Sequence, residues 1–300
     1  MRNYKQITKC INKDLEYFNV YLLNKIEDKN DSMSAILKDY INNKGKRIRP
    51  VLIFLLTNAF GIEPNKQIYE LAFADEILHN ATLIHDDIID ASVLRRETKT
   101  LNIEYDSKLA VIAGDYLLSL ALNAIAELGS EKIIQIHTQC MSELIKGESE
   151  QYFSKFKITT IDEYIEKSRR KTAELFKAAL NSVCILCGKQ ENLEQINNFA
   201  QNFGIAFQIN NDILNLFNEQ KICEDLNNGI YTAPFIFYSN VNKLNDNIDD
   251  IKSSTAIEQT EELINKYANS AIENIQFLED NQYKQSLIDL CELYKTSIRG

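Results

Sequence analysis

Residues 66–90 read KQIYELAFADEILHNATLIHDDIID, and neither Gly nor Pro interrupts them. Apolar residues recur at spacings of three and four, the mark of a helix that buries one face. As a helix, the stretch stacks Asp75, His79, Thr82, Asp86 and Asp90 along one face, while Ile77, Ile84 and Ile88 lie elsewhere. Asp86 and Asp90 repel one another at one helical turn, and Asp87 adds a third negative charge. Oxygen ligands one turn apart suit Mg²⁺, which takes a few carboxylates and completes its shell with water and substrate phosphates. A solvated acidic helix end is the plainer reading, but the cluster sits inside LIHDDII and not in a polar run.

The same pattern continues outward from this helix. The chain has 300 residues, 45% hydrophobic, with only 9 Gly and 3 Pro, so long uninterrupted helices and a sizeable core are expected. Helical periodicity runs through about 8–28, 32–42, 50–60, 66–90, 106–127, 131–152, 161–188, 193–218, 255–278 and 282–298. Breaks fall at NNKGKRIRP, FGIEPNK, ELGSEK, LCGKQEN and NNGIYTAP. No repeat or linker marks a boundary, so one all-α domain spanning 1–300 is predicted, a bundle of long helices around a central cavity.

The balance of 33 basic against 43 acidic residues, a net charge of −10, argues against a general nucleic-acid or anionic-membrane binder. No run reads as apolar over the 18 or so residues that would cross a bilayer, and the first residues lack a signal-peptide core. A cytosolic protein with no integral membrane segment is expected. The six cysteines follow no framework spacing and should be reduced, with the pair in VCILCG acting as buried small hydrophobes.

A second polar line lies at 208–219, QINNDILNLFNE. On a helix Asn211, Asn215 and Glu219 share a face, with Gln208 one turn before them and Asp212 adjacent. Amide carbonyls and carboxylates are both Mg²⁺ ligands, and two oxygen-rich lines on facing helices can hold ions between them. A hydrogen-bond ladder or an exposed polar stripe would read the same way. Cations gather in three places: Lys46, Arg47 and Arg49 at a helix start with Pro50, Arg95 and Arg96 beyond the acidic helix, and Lys171 beside Thr172. In an acidic chain these read as grips for phosphates.

Taken together, GKRIRP, EILHNATLIHDDIID, LRRETKT, AGDYLL, GESEQ, KTAELF, GIAFQINND and DLNNGIYTAP resemble, in order and spacing, the trans-isoprenyl diphosphate synthases of the long-chain polyprenyl type. The resemblance spans about 30 to 240 and implies an isoprenoid-synthase fold of long helices around a substrate tunnel, usually dimeric. It implies Mg²⁺-assisted ionisation of an allylic diphosphate, attack by isopentenyl diphosphate, and loss of a proton. Carried over, Asp86 and Asp90 ligate Mg²⁺ with Asp87 in support; Lys46, Arg49, His79 and Arg96 hold isopentenyl diphosphate. Arg95, Lys171 and Thr172 hold the allylic diphosphate, and Gln208 lies near the ionising carbon.

The chain departs from that pattern at 208–230. The usual second motif, Asp-Asp-x-x-Asp, is here Asn211, Asp212 and Asn215; the following loop lacks one lysine, and Ile230 stands where another is expected. Two negative and two positive charges are gone from this wall. Three readings follow: an elongating synthase whose second wall uses Asn211, Asp212, Asn215 and Glu219; a class I terpene cyclase, since NDILNLFNE is similar to that group's metal motif; or a non-catalytic subunit of a heteromeric synthase. The intact set Lys46, Arg49, His79 and Arg96 favours elongation, because a cyclase has no second diphosphate to hold. Ala81, five residues before Asp86, occupies the place that in this family floors the tunnel, with Thr82 beside it. Neither is bulky, so the product should exceed C15.

Overall fold

The computed structural model describes residues 2–27, 32–42, 45–95, 98–241 and 248–295. In chain order the first helices are α1 (Tyr4–Ile7), α2 (Asn12–Ile26), α3 (Ser32–Asn42), α4 (Ile48–Ala59) and α5 (Lys66–Ile89). A two-residue antiparallel hairpin follows, β1 (Leu94–Arg95) with β2 (Thr98–Lys99). Next come α6 (Leu101–Glu104), α7 (Ser107–Glu127), α8 (Glu131–Phe153), α9 (Ile161–Ser168), α10 (Glu174–Leu186) and α11 (Leu193–Leu216). The chain closes with α12 (Glu219–Asn227), α13 (Ala233–Ser239), α14 (Ile248–Lys252), α15 (Ala256–Asn274) and α16 (Gln282–Lys295). The all-α architecture expected from the sequence is what the chain adopts.

Local chemistry sets the ends of the long helices. The side chain of Asn65 accepts from Ile68 N (3.1 Å) at the start of α5, and Asp106 accepts from Leu109 N (2.7 Å) at the start of α7. Such caps satisfy amides that a helix leaves orphaned. α5 and α7 then pack along most of their lengths, as do α11 and α15. One core joins α4, α5, α7, α8, α10 and α16 through residues such as Leu52, Phe54, Leu71, Ile77, Leu117, Phe176 and Leu287. A second surrounds the C-terminal half of α11, where Ile205, Ile209, Ile213 and Leu216 meet Phe235, Ile236 and Ile264. Each such side chain, fully buried, contributes about 1.5–3 kcal/mol.

Four details correct the sequence reading. The stretch 161–188 is not one helix: a five-residue π turn, Arg169–Ala173, separates α9 from α10. Periodicity cannot reveal it, because a π turn inserts one residue without ending the helix. The stretch 193–218 stops at Leu216, because Asn218 accepts from Lys221 N (3.1 Å) and starts α12. Pro50 is the third residue of α4 and not the first, still within the turn whose amides need no helical partner. Finally, α7 is long and apolar enough, by length and composition, to cross a membrane, contrary to expectation; 39% of its apolar window is buried. Asp115 and scattered Ser and Asn hide the apolar average from a search for unbroken runs.

Close approach of α11 to the π turn depends on Gly204. A Cβ there would lie 2.6 Å from Ala173 Cα and 2.7 Å from Ala173 Cβ. Backbone cannot yield as a flexible side chain does, so Gly204→Ala forces the two elements apart. Urea unfolding of this variant is expected to show a loss of about 1–3 kcal/mol; unchanged stability would contradict the close contact of Gly204 with Ala173.

Candidate active site

The acidic end of α5, the π turn and the C-terminal half of α11 converge on one cavity of about 290 Å³. Asp90, Arg95, Lys167, Lys171, Gln208 and Asp212 line it, with Asp225 and Ile230 on the side nearest α12. A larger cavity, about 550 Å³, lies between α3 and the hairpin, but its charged lining residues, such as Asp39, Lys99 and Glu104, are those of a mixed surface. The smaller one is where the sequence-predicted residues Asp90, Arg95, Lys171, Gln208, Asp212 and Asn215 meet.

Asp86 and Asp90 share a face, as expected, and neither is comfortable as an anion. Desolvation pushes the Asp86 carboxyl up to about 7, with Glu148 and Asp90 adding to the rise and Lys171 and Arg95 opposing it. Desolvation likewise raises Asp90, against the pull of Lys171 and Lys155. One buried oxygen of Asp90, Oδ1, accepts no hydrogen bond; the nearest cation is Lys155, 3.7 Å away. Two desolvated carboxylates with an unsatisfied oxygen are a fit donor set for a hard divalent ion. Among the described residues no three His, Cys, Asp or Glu side chains form a closed cage, which suits an ion that is completed by water and phosphate.

Asp87 does something different. It is buried and pairs with Arg95, whose Nε donates to Oδ2 (2.8 Å) and whose Nη2 donates to Oδ1 (2.6 Å). This pair ties the hairpin to α5 and keeps Arg95 at the edge of the cavity that Asp90 also lines, close enough for Asp87 to add to the rise at Asp90 and for Arg95 to oppose the rise at Asp86. Burial would lower the Arg95 pKa, but Asp87 outweighs it and leaves it raised.

The facing wall is a chain of hydrogen bonds. Thr172 Oγ1 donates to Gln208 Oε1 (2.6 Å), Gln208 Nε2 donates to Asp212 Oδ1 (2.8 Å), and the Tyr164 hydroxyl donates to Asp212 Oδ2 (2.6 Å). Burial still leaves the Asp212 carboxyl raised. Lys171 reaches Glu148 of α8 at 2.6 Å, and burial there is outweighed by Glu148, Asp86 and Asp90, so its pKa is raised. Asn215 lines the cavity beside Asp212, and Asn211 is half-buried on the same helix. Glu219 does not continue the line: the helix has ended, and Glu219 is an exposed residue opening α12. The carboxylate that does enter is Asp225, lifted to about 7 by desolvation and by Asp212, Glu224 and Asp90. The break at Asn218 explains both.

The cations at the start of α4 form a separate group. Arg47 holds a left-handed backbone (φ 50°) and spends its guanidinium on Glu76 Oε1 (2.8 Å) and the Ile41 carbonyl (2.8 Å). Arg49 is buried over the Phe176 ring, with Nε lacking a hydrogen bond, and burial lowers its pKa to about 10. Lys46 is exposed. His79, on α5, lies about 10 Å along the helix axis from Asp86 at 1.5 Å per residue. Arg96 lies outside the described residues. Ala81 is buried, and Thr82 beside it donates to the His79 carbonyl (2.8 Å). Tyr164, Glu148, Lys155, Lys167 and Asp225 were not singled out from sequence, because each joins the site through contacts between helices that spacing does not report. The six cysteines are free, as expected.

Asp75, first on the acidic face, is core and not site. Fully buried, it lies 3.4 Å from His137 Nε2, an ion pair too long for a good hydrogen bond, and His137 Nδ1 lies 2.9 Å from the Ile133 carbonyl.

A family model described as polyprenyl synthetase matches residues 30–268. A prenyl transferase of Cyanidium caldarium is 32% identical over 89% of this chain and 91% of its own. A decaprenyl-diphosphate synthase of Dictyostelium discoideum is 30% identical over 88% of this chain and 62% of that longer protein. The crystal structure of a polyprenyl synthase from Caulobacter crescentus, complexed with calcium and isoprenyl diphosphate, superposes with a TM-score of 0.88 at 23% identity, covering 98% of this chain and 97% of that one.

One prediction follows from the buried pair. Burial alone would lower the His137 pKa, but Asp75 and the Ile133 carbonyl outweigh it, so the folded value is raised above the unfolded 6.5 or so. That stability is full below about pH 6.5 and is lost as pH rises through the folded value. Desolvated site carboxylates add slope of the same sign, so the diagnostic is a difference: in metal-free buffer, His137→Gln should lose less stability between pH 6 and pH 8 than wild type. Equal slopes would remove His137 from the account.

Proposed function

Because this chain belongs to the polyprenyl synthetase family and is a prenyltransferase, we propose that it condenses isopentenyl diphosphate with an allylic diphosphate, with Mg²⁺ as the divalent ion, to give a trans-polyprenyl diphosphate longer than C15. The observation that carries this reading is the electrostatic pairing of desolvated Asp86 and Asp90 with Lys171, beside a cavity that Asp90 and Lys171 line. A bound Mg²⁺ would neutralise charge on the departing diphosphate as a Lewis acid.

The remaining steps fall to the chain's own residues. Lys171, held by Glu148 at the π turn, meets the diphosphate as its C–O bond breaks and negative charge grows on the leaving oxygen. Arg95, braced on Asp87, adds a second positive charge at the same mouth. Thr172 and Asp212 fix the Gln208 amide beside the allylic carbon, where its carbonyl dipole meets the developing cation. Lys46, Arg49, His79 and Arg96 hold isopentenyl diphosphate, whose double bond attacks that carbon; a proton then leaves the new tertiary cation. Arg49, a buried cation with an unsatisfied donor, suits this role, whereas Arg47 serves by bracing the turn through Glu76.

The ending of α11 at Leu216 weighs against the cyclase reading, since Asn211, Asn215 and Glu219 no longer form a continuous triad. On the second wall Asp212 and the amides of Asn211 and Asn215 remain as oxygen donors. Apolar side chains left exposed on α7 and α8, Val111 (42%), Ile112 (57%), Leu122 (38%) and Ile134 (38%), support a homodimer that covers them.

Mass spectrometry of products from purified protein tests the reading. With Mg²⁺ and both diphosphates, allylic diphosphates beyond C15 are expected; hydrocarbons or alcohols from the allylic substrate alone would replace it with cyclisation, and silence in both with a non-catalytic role. Asp86→Ala is expected to lower kcat/KM by about 10²-fold or more. Ala81→Phe should shorten the product, and an unchanged chain length would exclude Ala81 as the floor.

A further inference from the structure

One cation of the cavity has no role in the scheme above. Three cations line this space, Arg95, Lys167 and Lys171. Two are already matched by carboxylates: Arg95 by Asp87, and Lys171 by Glu148. Lys167 is matched by none. Its ammonium lies 5.8 Å from the centroid of the Tyr164 ring and makes no ion pair or hydrogen bond among the described residues. Asp212 is the nearest counter-charge in electrostatic effect, but both of its oxygens are taken by Tyr164 and Gln208.

Position sharpens the point. Lys167 ends one turn of α9, and Lys171 follows four residues later in the π turn, so two like charges face the same cavity. Such a pair destabilises the helix unless an anion sits between them. Burial lowers the Lys167 pKa and Lys171 adds to the fall, and the longer-range pull of Asp212, Glu148 and Asp225 does not cancel them, since none of the three pairs with the ammonium directly. Across the cavity lies Ile230, an apolar residue in a polar lining. The family resemblance implies a lysine there, and Ile230 brings no positive charge to that wall.

We propose that Lys167 is a direct ligand of the allylic diphosphate, supplying from α9 a positive charge that Ile230 cannot supply from its loop. The diphosphate is then held between Lys167 and Lys171 on one element. This rests on the reading of the cavity as the allylic diphosphate site. It makes the segment Lys167–Lys171, and not the loop at 228–230, the main cationic wall of this enzyme.

Calorimetric titration of inorganic pyrophosphate in Mg²⁺ into the full chain tests the assignment. Lys167→Gln and Lys167→Met are expected to weaken binding about 10-fold, as loss of a charge-assisted contact does, and Lys167→Arg to keep most of it. Ile230→Lys added to Lys167→Gln should restore the affinity, which a merely structural lysine would not allow. In steady state, KM for the allylic diphosphate should rise while KM for isopentenyl diphosphate stays within about twofold. Unfolding temperatures identify any variant with a fold defect, and the Met variant keeps the apolar stem in place. Unchanged pyrophosphate affinity in both neutral variants overturns the proposal. If wild type makes no elongated product yet Lys167→Gln still loses pyrophosphate, the lysine's role stands and the elongation reading falls.

Discussion

Two carboxylates held one turn apart at the desolvated end of a helix cannot both be charged at low cost without a cation between them. That constraint at Asp86 and Asp90 organises the rest of the site. Around it stand Lys171, Lys155 and Arg95, from three different segments; Lys171 is balanced by Glu148 and Arg95 by Asp87, whereas Lys155 approaches Asp90 itself. No single neighbour cancels the charge of Asp86, which burial still lifts to about 7. An ion bound with an anionic ligand resolves the conflict, because it adds positive charge and brings its own oxygen donors.

Geometry on the opposing wall follows from two backbone features. Gly204 lets α11 lie against Ala173, and the π turn there offsets the helix so that Lys171 and Thr172 both reach inward. Thr172, Gln208, Asp212 and Tyr164 then lock in sequence, each fixing the rotamer of the next. Electrostatics on this wall differ from the pattern expected of the family, with amides at 211 and 215 and isoleucine at 230. Asp225 and Lys167 bring one charge of each sign back into the same space from α12 and α9.

Much of this was legible in the sequence, for identifiable reasons. Asp86 and Asp90 could be paired because both lie on one uninterrupted helix, where spacing fixes the face. Gln208, Asp212 and Asn215 were placed for the same reason, and the long helices followed from periodicity and the scarcity of Gly and Pro. Glu219 was misplaced because a cap at Asn218 outweighs the continuing periodicity of the residues around it. Asp75 shares the face of Asp86 but not its fate, since His137 of α8 claims it, a partner that no local pattern announces. Tyr164, Glu148 and Lys167 stayed hidden likewise: their roles exist only once α8, α9 and α11 are brought together.

The central claim is that Asp86 and Asp90 hold a divalent ion jointly with a diphosphate. Electron paramagnetic resonance of Mn²⁺ in the presence of inorganic pyrophosphate reads this without any turnover. Wild-type protein should bind Mn²⁺ markedly tighter with pyrophosphate than without it, and an Asp86→Asn/Asp90→Asn variant should lose that enhancement. Equal enhancement in the variant would show that the ion and the diphosphate meet elsewhere, and the account of this site would fail.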